Sequence, residues 1–305
     1  MRVAVLGSLN VDFVLEVERL PRPGEVVLGD TFRRTLGGRG NNQAIAAARL
    51  GAEVSLFGKV GSDRLGRDIL HNARKNGVDT SRVAVERGAH TGTTFILVDG
   101  DGENMIAYSP GANARVDEAY VRSVLAEIAA ADVVLAQLEI PKDAVAMLLE
   151  ELPPGPLLIL DPSGASSLSG LFLERVDYLV PNREMLRSLT GEDTADREGI
   201  RRAGERLLKL GVRHLVVKAG PEGAFLLEAQ GITRFPAYPV SPVDSTGAGD
   251  AFIAALGCAL GRGKGIYEAI GFANAAAALA VTRRGAAASF PTGEEVSRFL
   301  RERYR

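Results

Sequence analysis

The sequence predicts an α/β protein: a three-layer, mainly parallel sheet flanked by helices, with a small β-sheet lid. Three observations carry that expectation. Short Val- and Leu-rich runs alternate with longer helical patterns, as in a parallel sheet covered on both faces. Two stretches break the alternation with strand–turn–strand patterns instead. The 305 residues, 46% hydrophobic and 24% charged, suffice for one large core, so a single domain over 1–305 is expected.

In chain order, Val3–Gly7 is the first strand. Val11–Val17 and Glu25–Arg33 read as two strands around the proline-rich turn Leu20-Pro21-Arg22-Pro23-Gly24. A helix at about Asn42–Leu50, a strand at Val54–Val60 and a helix at about Leu65–Asn76 follow. Thr93–Val98 and Asn104–Tyr108 flank Asp99-Gly100-Asp101-Gly102, and Asp-Gly between alternating apolar residues signals a hairpin. The lid is therefore expected from inserts at about 11–35 and 92–109. Alternation then resumes: strand Val133–Ala136, helix Asp143–Glu151, strands Leu157–Leu160 and Tyr178–Val180, helix Arg197–Leu210 and strand His214–Lys218. The last third is helical, at about Gly249–Leu260, Ile266–Thr282 and Glu294–Arg303.

Composition excludes several functions. A net charge of −2 argues against a nucleic-acid or anionic-membrane partner. The single cysteine, Cys258, rules out an intrachain disulfide framework and a cysteine-built zinc cage. No apolar run reaches the roughly 18 residues of a membrane span, and Val3–Gly7 is too short for a secretory signal. A cytoplasmic enzyme is expected. His71, His90 and His214 show no metal-binding spacing.

The most informative segment is Val243-Asp244-Ser245-Thr246-Gly247-Ala248-Gly249-Asp250-Ala251-Phe252. Small residues let the backbone approach a ligand, and the apolar run behind them continues as a helix. Free N–H groups at that helix start form an anion site strengthened by the helix dipole. Asp250, in the first turn, has two possible roles: to complement the dipole, or to take a proton from a substrate hydroxyl. No Gly-Lys-Ser/Thr follows, so the segment is not a P-loop.

This decapeptide resembles the C-terminal motif of the ribokinase-like (PfkB-type) carbohydrate kinases. Gly37-Gly38-Arg39-Gly40-Asn41-Asn42-Gln43-Ala44 resembles their N-terminal motif. The resemblance runs from Gly7-Ser8-Leu9-Asn10-Val11-Asp12 to Ala280-Val281-Thr282-Arg283-Arg284-Gly285-Ala286, and is strongest to the ribokinase branch of the family. It implies transfer of the γ-phosphoryl group of ATP to a sugar primary hydroxyl, most of all that of D-ribose. Fructose, 2-keto-3-deoxygluconate, a sugar phosphate or a nucleoside are alternatives, as is a silent regulator on the same scaffold.

Residue by residue, the resemblance implies that Asn10, Asp12, Gly38, Arg39, Asn42 and Glu139 bind the sugar. Asn10 and Asp12 stand at alternate positions after a strand and project to one side. Glu139 lies at a strand's carboxyl end, where open α/β sheets bind ligands. Asp250 would be the base, and the N–H groups of Gly247, Ala248 and Gly249 would hold the transferred phosphoryl group. The nucleotide would engage Asn182, Lys218, Gly220, Glu222, Gly223, Gly249 and Asn274, with Mg²⁺ on its phosphates. A monovalent cation, K⁺, would sit at Asp244, Thr246, Ala280, Arg283, Gly285 and Ser289. A homodimer through the lid is expected, because a lid leaves exposed strand edges.

Three positions depart from the family pattern: Arg39 stands where Lys is typical, Met185 where Glu is typical, and Lys218 where a small hydroxyl residue is usual. Glu184 is adjacent to Met185, but one residue rotates a helical side chain by about 100°.

Overall fold

The computed structural model describes residues 1–303; the last two residues of the expected 1–305 domain lie outside the described residues. The chain runs β1 (Arg2–Leu6), β2 (Asn10–Val17), β3 (Gly29–Gly37), α1 (Arg39–Arg49), β4 (Glu53–Gly61), α2 (Arg64–Lys75), β5 (Val78–Asp79), β6 (Val83–Glu86), β7 (Gly92–Val98) and β8 (Asn104–Ser109). It continues through α3 (Glu118–Ala129), β9 (Val133–Gln137), α4 (Lys142–Glu151), β10 (Leu157–Asp161), β11 (Tyr178–Leu179), α5 (Arg183–Thr190), α6 (Arg197–Leu208) and β12 (His214–Lys218). It ends with β13 (Ala224–Glu228), β14 (Gly231–Phe235), α7 (Ala248–Gly261), α8 (Ile266–Val281) and α9 (Gly293–Arg303).

The main sheet has the order β14-β13-β12-β11-β10-β9-β1-β4-β5, with β6 also alongside β4. It is parallel except at β13 and β14, which pair antiparallel at one edge. Side chains of one strand alternate between two cores: Val3 and Val5 pack with α1, α7 and α8, whereas Ala4 and Leu6 pack with α3, α4 and α6. That two-sided burial explains the uninterrupted apolar runs. From β1 the chain first builds outward to β4, then returns to place β9 on the other side of β1. Neighbouring connections thus diverge between β1 and β9. The crevice beyond their carboxyl ends is where such sheets bind ligands.

The second sheet has the order β3-β2-β7-β8. Its outer strand differs from expectation. Glu25–Arg33 was expected, but the strand is Gly29–Gly37, and residues 25–28 are irregular. Pairing explains the shift: Asn10 lies opposite Gly37 and Phe13 opposite Arg34, so β3 is fixed by where β2 begins. The helix expected from Asn42 starts one turn earlier, at Arg39. Helices α3 and α5 and the β13–β14 hairpin were not foreseen. Asp117 and Asn182 cap the two helices by accepting the amides of Tyr120 and Met185.

Helices α1 and α7 pack on each other and begin differently. Their N-caps are the positive-φ glycines Gly38 (φ 87°) and Gly247 (φ 78°), and no side chain caps either helix. Space alone demands glycine there. A Cβ on Gly38 would stand 2.6 Å from the Asn10 nitrogen, and one on Gly247 would stand 2.8 Å from the Phe290 ring. The start of α1 therefore closes tightly on the segment that follows β1, and the start of α7 on Ala286 and Phe290.

Candidate active site

Two cavities meet at this crevice. The first, about 540 Å³, is lined by Asn10, Thr94, Ile106, Tyr108, Glu139 and Gly164, among others. The second, about 520 Å³, is lined by Arg39, Asn182, Lys218, Gly220, Gly249 and Asp250, among others. Between them runs the ion pair of Arg39 Nε and Glu139 Oε1, at 3.0 Å.

The wall of the first cavity is built by buried amides. Asn113, just after β8, accepts the Leu9 amide at 2.9 Å and donates to Asn10 Oδ1 at 2.7 Å and to the Tyr108 hydroxyl at 3.3 Å. Asn10 is thereby held rigid at the start of β2. Ser8 donates to Glu139 Oε2 at 2.6 Å and accepts the Arg39 amide at 3.0 Å, tying β1, α1 and the end of β9 together. Asp12 lies on the same face of the small sheet as Thr94, which hydrogen-bonds it; burial raises its pKa.

Asp250 is buried at the start of α7. Its carboxylate accepts Asn42 Nδ2 at 3.0 Å and Gln43 Nε2 at 3.2 Å, and Arg39 stands 3.8 Å away. Burial pushes its pKa up to about 6 against the opposing pull of Arg39 and Asn42. That value is suited to a base near neutral pH. Arg39 is a hub, reaching Glu139, Asp161 (3.7 Å) and Asp250. Burial works against its charge, but the three carboxylates outweigh burial and hold its pKa above the ordinary value.

The glycine turn before α7 is closed by Ala248 N–H donating to the Ser245 carbonyl at 3.2 Å. This modifies the expected trio of anion-binding amides: that of Ala248 is already engaged. By helix geometry the amides of Gly249 and Asp250 have no intrahelical acceptor.

The nucleotide-side residues divide. Asn182, Lys218, Gly220 and Gly249 line the second cavity. Glu222 pairs with Arg183 at 2.6 Å and pins the turn after β12 to α5. Gly223 (φ 94°) lies against residues 235–237, leaving 2.0 Å between a Cβ there and the Phe235 oxygen. Asn274 donates to the carbonyls of Phe235 and Pro236, at 3.2 and 3.3 Å, so it fixes that same segment. Asp244 latches two loops, accepting Thr246 N–H at 2.9 Å and Gly285 N–H at 2.8 Å. Ser289 is buried and donates to the Ala286 carbonyl; Arg283 pairs with Glu295. Ala280 is buried, and its carbonyl accepts the Arg283 amide.

Sequence reasoning missed Ser8, Gln43, Asn113, Tyr108 and Asp161. Asp161 is fully buried at the carboxyl end of β10 and carries Gln43 (3.3 Å), Arg39 and Lys218 (3.8 Å). The strand-end position that singled out Glu139 was equally a signal for Asp161. Tyr108 was read only as the end of a strand.

Comparison with known proteins agrees with this geometry. The chain matches the pfkB family carbohydrate kinases over residues 1–293. It is 37% identical to the ribokinase of Bacillus subtilis over 303 residues, covering 98% of this chain and 99% of that one. It is 35% identical to the ribokinase of Haemophilus influenzae, covering 98% of each chain. The structure of Arabidopsis thaliana ribokinase complexed with ribose and ATP superposes with a TM-score of 0.92, at 33% identity and 98% coverage of both chains. Ribokinase from Thermotoga maritima gives a TM-score of 0.86 at 34% identity, with 98% of this chain and 99% of that chain covered. The family motifs, two-sided parallel sheet and glycine-led α7 carrying a buried carboxylate all converge: the chain belongs to the pfkB family of carbohydrate kinases.

Proposed function

We propose that the protein is an ATP-dependent ribokinase, transferring the γ-phosphoryl group of ATP to the primary hydroxyl of D-ribose to give D-ribose 5-phosphate. The observation that carries this is the position of Asp250: a buried carboxylate lining the phosphate-side cavity, one ion pair away from a polar cavity lined by Asn10 and Glu139. The relatives at 35–37% identity are ribokinases, and one matching structure holds ribose and ATP.

In this reading Asn10, Asp12, Asn42, Glu139 and the backbone at Gly38 hold the sugar, with Arg39 bracing Glu139 beside it. Asp250 accepts the hydroxyl proton as the hydroxyl oxygen attacks phosphorus. The amides of Gly247 and Gly249 bind the charge on the transferred group, with Ala248 shaping their turn. ATP lies along the turn Lys218–Gly223, near Asn182 and Asn274. Among the described residues no group of three or more His, Cys, Asp or Glu is arranged for a metal. Mg²⁺ would be carried chiefly by the nucleotide phosphates and water, and would neutralise the phosphates' charge. Asn182 and Glu184, which line the second cavity, are the residues that would approach it.

For K⁺, the residue set fits an oxygen-rich site with one negative charge. Although burial opposes it, N–H groups of Gly285 and Thr246 lower the pKa of Asp244, so that carboxylate stays ionised. Thr246, Ala280, Arg283, Gly285 and Ser289 would add neutral oxygens.

The small sheet is read as a lid and dimer surface. Asp12, Thr94, Ile106 and Tyr108 share its cavity face, by register, while Phe13, Phe32, Phe95 and Met105 share the opposite face. Phe13 stacks on Phe32 and Phe95 at 5.8 and 5.5 Å, yet Phe32 is 65% and Phe95 55% exposed. An exposed apolar face of this kind favours a second copy of the chain. The whole chain is one domain in a cytoplasmic enzyme, where ATP is available and the buried Cys258 stays a free thiol.

The test is ADP release coupled to a spectrophotometric readout over a panel of sugars and nucleosides. Ribose should give the highest kcat/KM, and phosphorus NMR should show a 5-phosphate. A faster fructose, ketodeoxygluconate or nucleoside reaction would replace ribose as substrate. No ADP release with any acceptor would defeat the kinase reading.

A further inference from the structure

Lys218, the last residue of β12, has its ammonium nitrogen sealed from solvent with no hydrogen-bond acceptor among the described residues. Its nearest carboxylate oxygen is Asp161 Oδ2, at 3.8 Å, beyond hydrogen-bond reach. A Cβ on Gly249 would stand 3.6 Å from the nitrogen, so the ammonium lies directly beneath the glycine turn that opens α7. An ammonium carries three donors, and burying them unmade is costly.

The surrounding groups are already committed. Asp161 accepts Ser163 N–H at 3.1 Å through Oδ1 and Gln43 at 3.3 Å through Oδ2. Asp250 is taken up by Asn42 and Gln43, and Arg39 donates to Glu139. Lys218 makes none of its three hydrogen bonds to these groups, and it lines the cavity that Asp250 lines.

We infer that Lys218 is the cation that meets the phosphoryl group in transfer, binding its oxygens in the transition state more strongly than it binds resting ATP, with Asp161 as the positioning residue that holds it beneath Gly249. The inference rests on the kinase reading above and deepens it.

The charge balance fits. As the sugar oxygen bonds to the γ-phosphorus, the bond from that phosphorus to the oxygen bridging to the β-phosphate breaks, and its electron pair leaves with ADP. The hydroxyl proton passes to Asp250. One negative charge thus leaves the Asp161–Asp250–Glu139 set while Arg39 and Lys218 keep theirs. The surplus positive charge arises beside the oxygens of the transferring group. Lys218 keeps its protons throughout. Burial lowers its pKa, so binding an anion would strengthen its hold on them. The long, flexible side chain needs only a small rotation past Gly249, which has no Cβ to obstruct it.

The experiment uses the full chain with Lys218→Met, which keeps the apolar stem and removes the charge. Three quantities are measured against wild type: steady-state constants for ATP and ribose, calorimetric affinity for ADP, and affinity for ADP with aluminium fluoride, Mg²⁺ and ribose. Aluminium fluoride imitates the phosphoryl group in flight. Loss of one such donor is expected to lower kcat about 100-fold or more. The aluminium fluoride complex should weaken in proportion, with ADP affinity and the ATP KM changed less than about threefold, a split that general damage would not produce. Wild-type-like kcat, or an equal loss of ADP and aluminium fluoride affinity, overturns the inference. Should Lys218→Met not fold, lysine-labelled nitrogen-15 NMR of the unaltered protein decides instead, with the Lys218 signal assigned through Lys218→Arg. That ammonium signal should shift with ADP, aluminium fluoride and ribose together and stay put with ADP alone; the absence of a specific shift overturns the inference. An unaltered protein that releases no ADP with any acceptor would defeat the kinase reading instead.

Discussion

The floor of the crevice and the four-stranded second sheet, the proposed lid, are opposites in construction. The floor buries charge: Asp161 and Asp250 have almost no exposed surface, and Arg39, Gln43 and Asn42 satisfy them from α1. Every one of those side chains is anchored to a parallel strand end or a packed helix. The lid does the reverse. Its cavity face is polar or mixed, and its other face leaves Phe32, Phe95 and Met105 at least half exposed. Buried charge held by many partners gives fixed geometry and a perturbed base, which the chemistry requires. A single four-stranded layer with one uncovered face has fewer such anchors, as a lid that opens for binding and release would need. The lesson is a division of labour: catalytic power should reside in the floor, and substrate affinity and assembly in the lid.

The largest expected effect tests the floor. Asp250→Asn keeps the shape and removes the proton acceptor. Its kcat should fall about 10²–10⁴-fold with little change in ATP binding, and a variant retaining most of its turnover would remove Asp250 from the mechanism. The raised pKa adds a signature. The wild-type kcat/KM should fall as pH drops through about 6, where Asp250 gains its proton. For stability the sign is opposite to a salt-bridged carboxylate. A folded-state pKa of about 6 against 3.8 means the buried acid favours folding at low pH and loses that contribution as pH rises through 6. Asp250→Asn should therefore gain on wild type by on the order of 3 kcal/mol between pH 4 and pH 7, read from urea unfolding at each pH. A pH-independent gap would mean that Asp250 is not the group burial has shifted.

The lid test comes next. Phe32→Glu with Phe95→Glu should convert a dimer to a monomer in light scattering. It should raise the ribose KM several-fold while kcat changes less, if the lid governs affinity and the floor governs rate. A double variant that remains dimeric places the subunit contact elsewhere. A kcat loss as large as that of Asp250→Asn would erase the contrast between the two regions.

Smaller effects probe the edges of the floor. Asp244→Ala should remove most of the activation by K⁺ and cost about 1–2 kcal/mol, because two backbone amides, those of Thr246 and Gly285, lose their acceptor. Full activity of the unaltered enzyme in rigorously K⁺-free buffer would contradict the cation site. Smallest of all, Met185→Glu should alter the Mg²⁺ dependence modestly and leave sugar ranking intact. Met185 is half-buried in the first turn of α5, beside the Asn182 cap, so this carboxylate would keep some solvent. A changed sugar ranking would place Met185 in the sugar site.

The sequence by itself determined what is local. Asp250, Gly247 and Gly249 lie within one helix start, and the run Gly37-Gly38-Arg39-Gly40 lies within another, so spacing along the chain already dictates how each backbone turns. Alternating apolar strands and helices likewise dictated a two-sided parallel sheet. Only the tertiary structure decided what converges from afar. Gln43 meets Asp161 across 118 positions and Asp250 across 207, and Asn113 meets Leu9 across 104. It also decided the register of β3, which β2 imposes through pairing, and the burial of Lys218 under Gly249. The physical reason is that propensity and spacing act over one or two turns. Burial, desolvation and the pairing of charges depend on which strands become neighbours, and in this fold β1 neighbours β9 across 126 intervening residues.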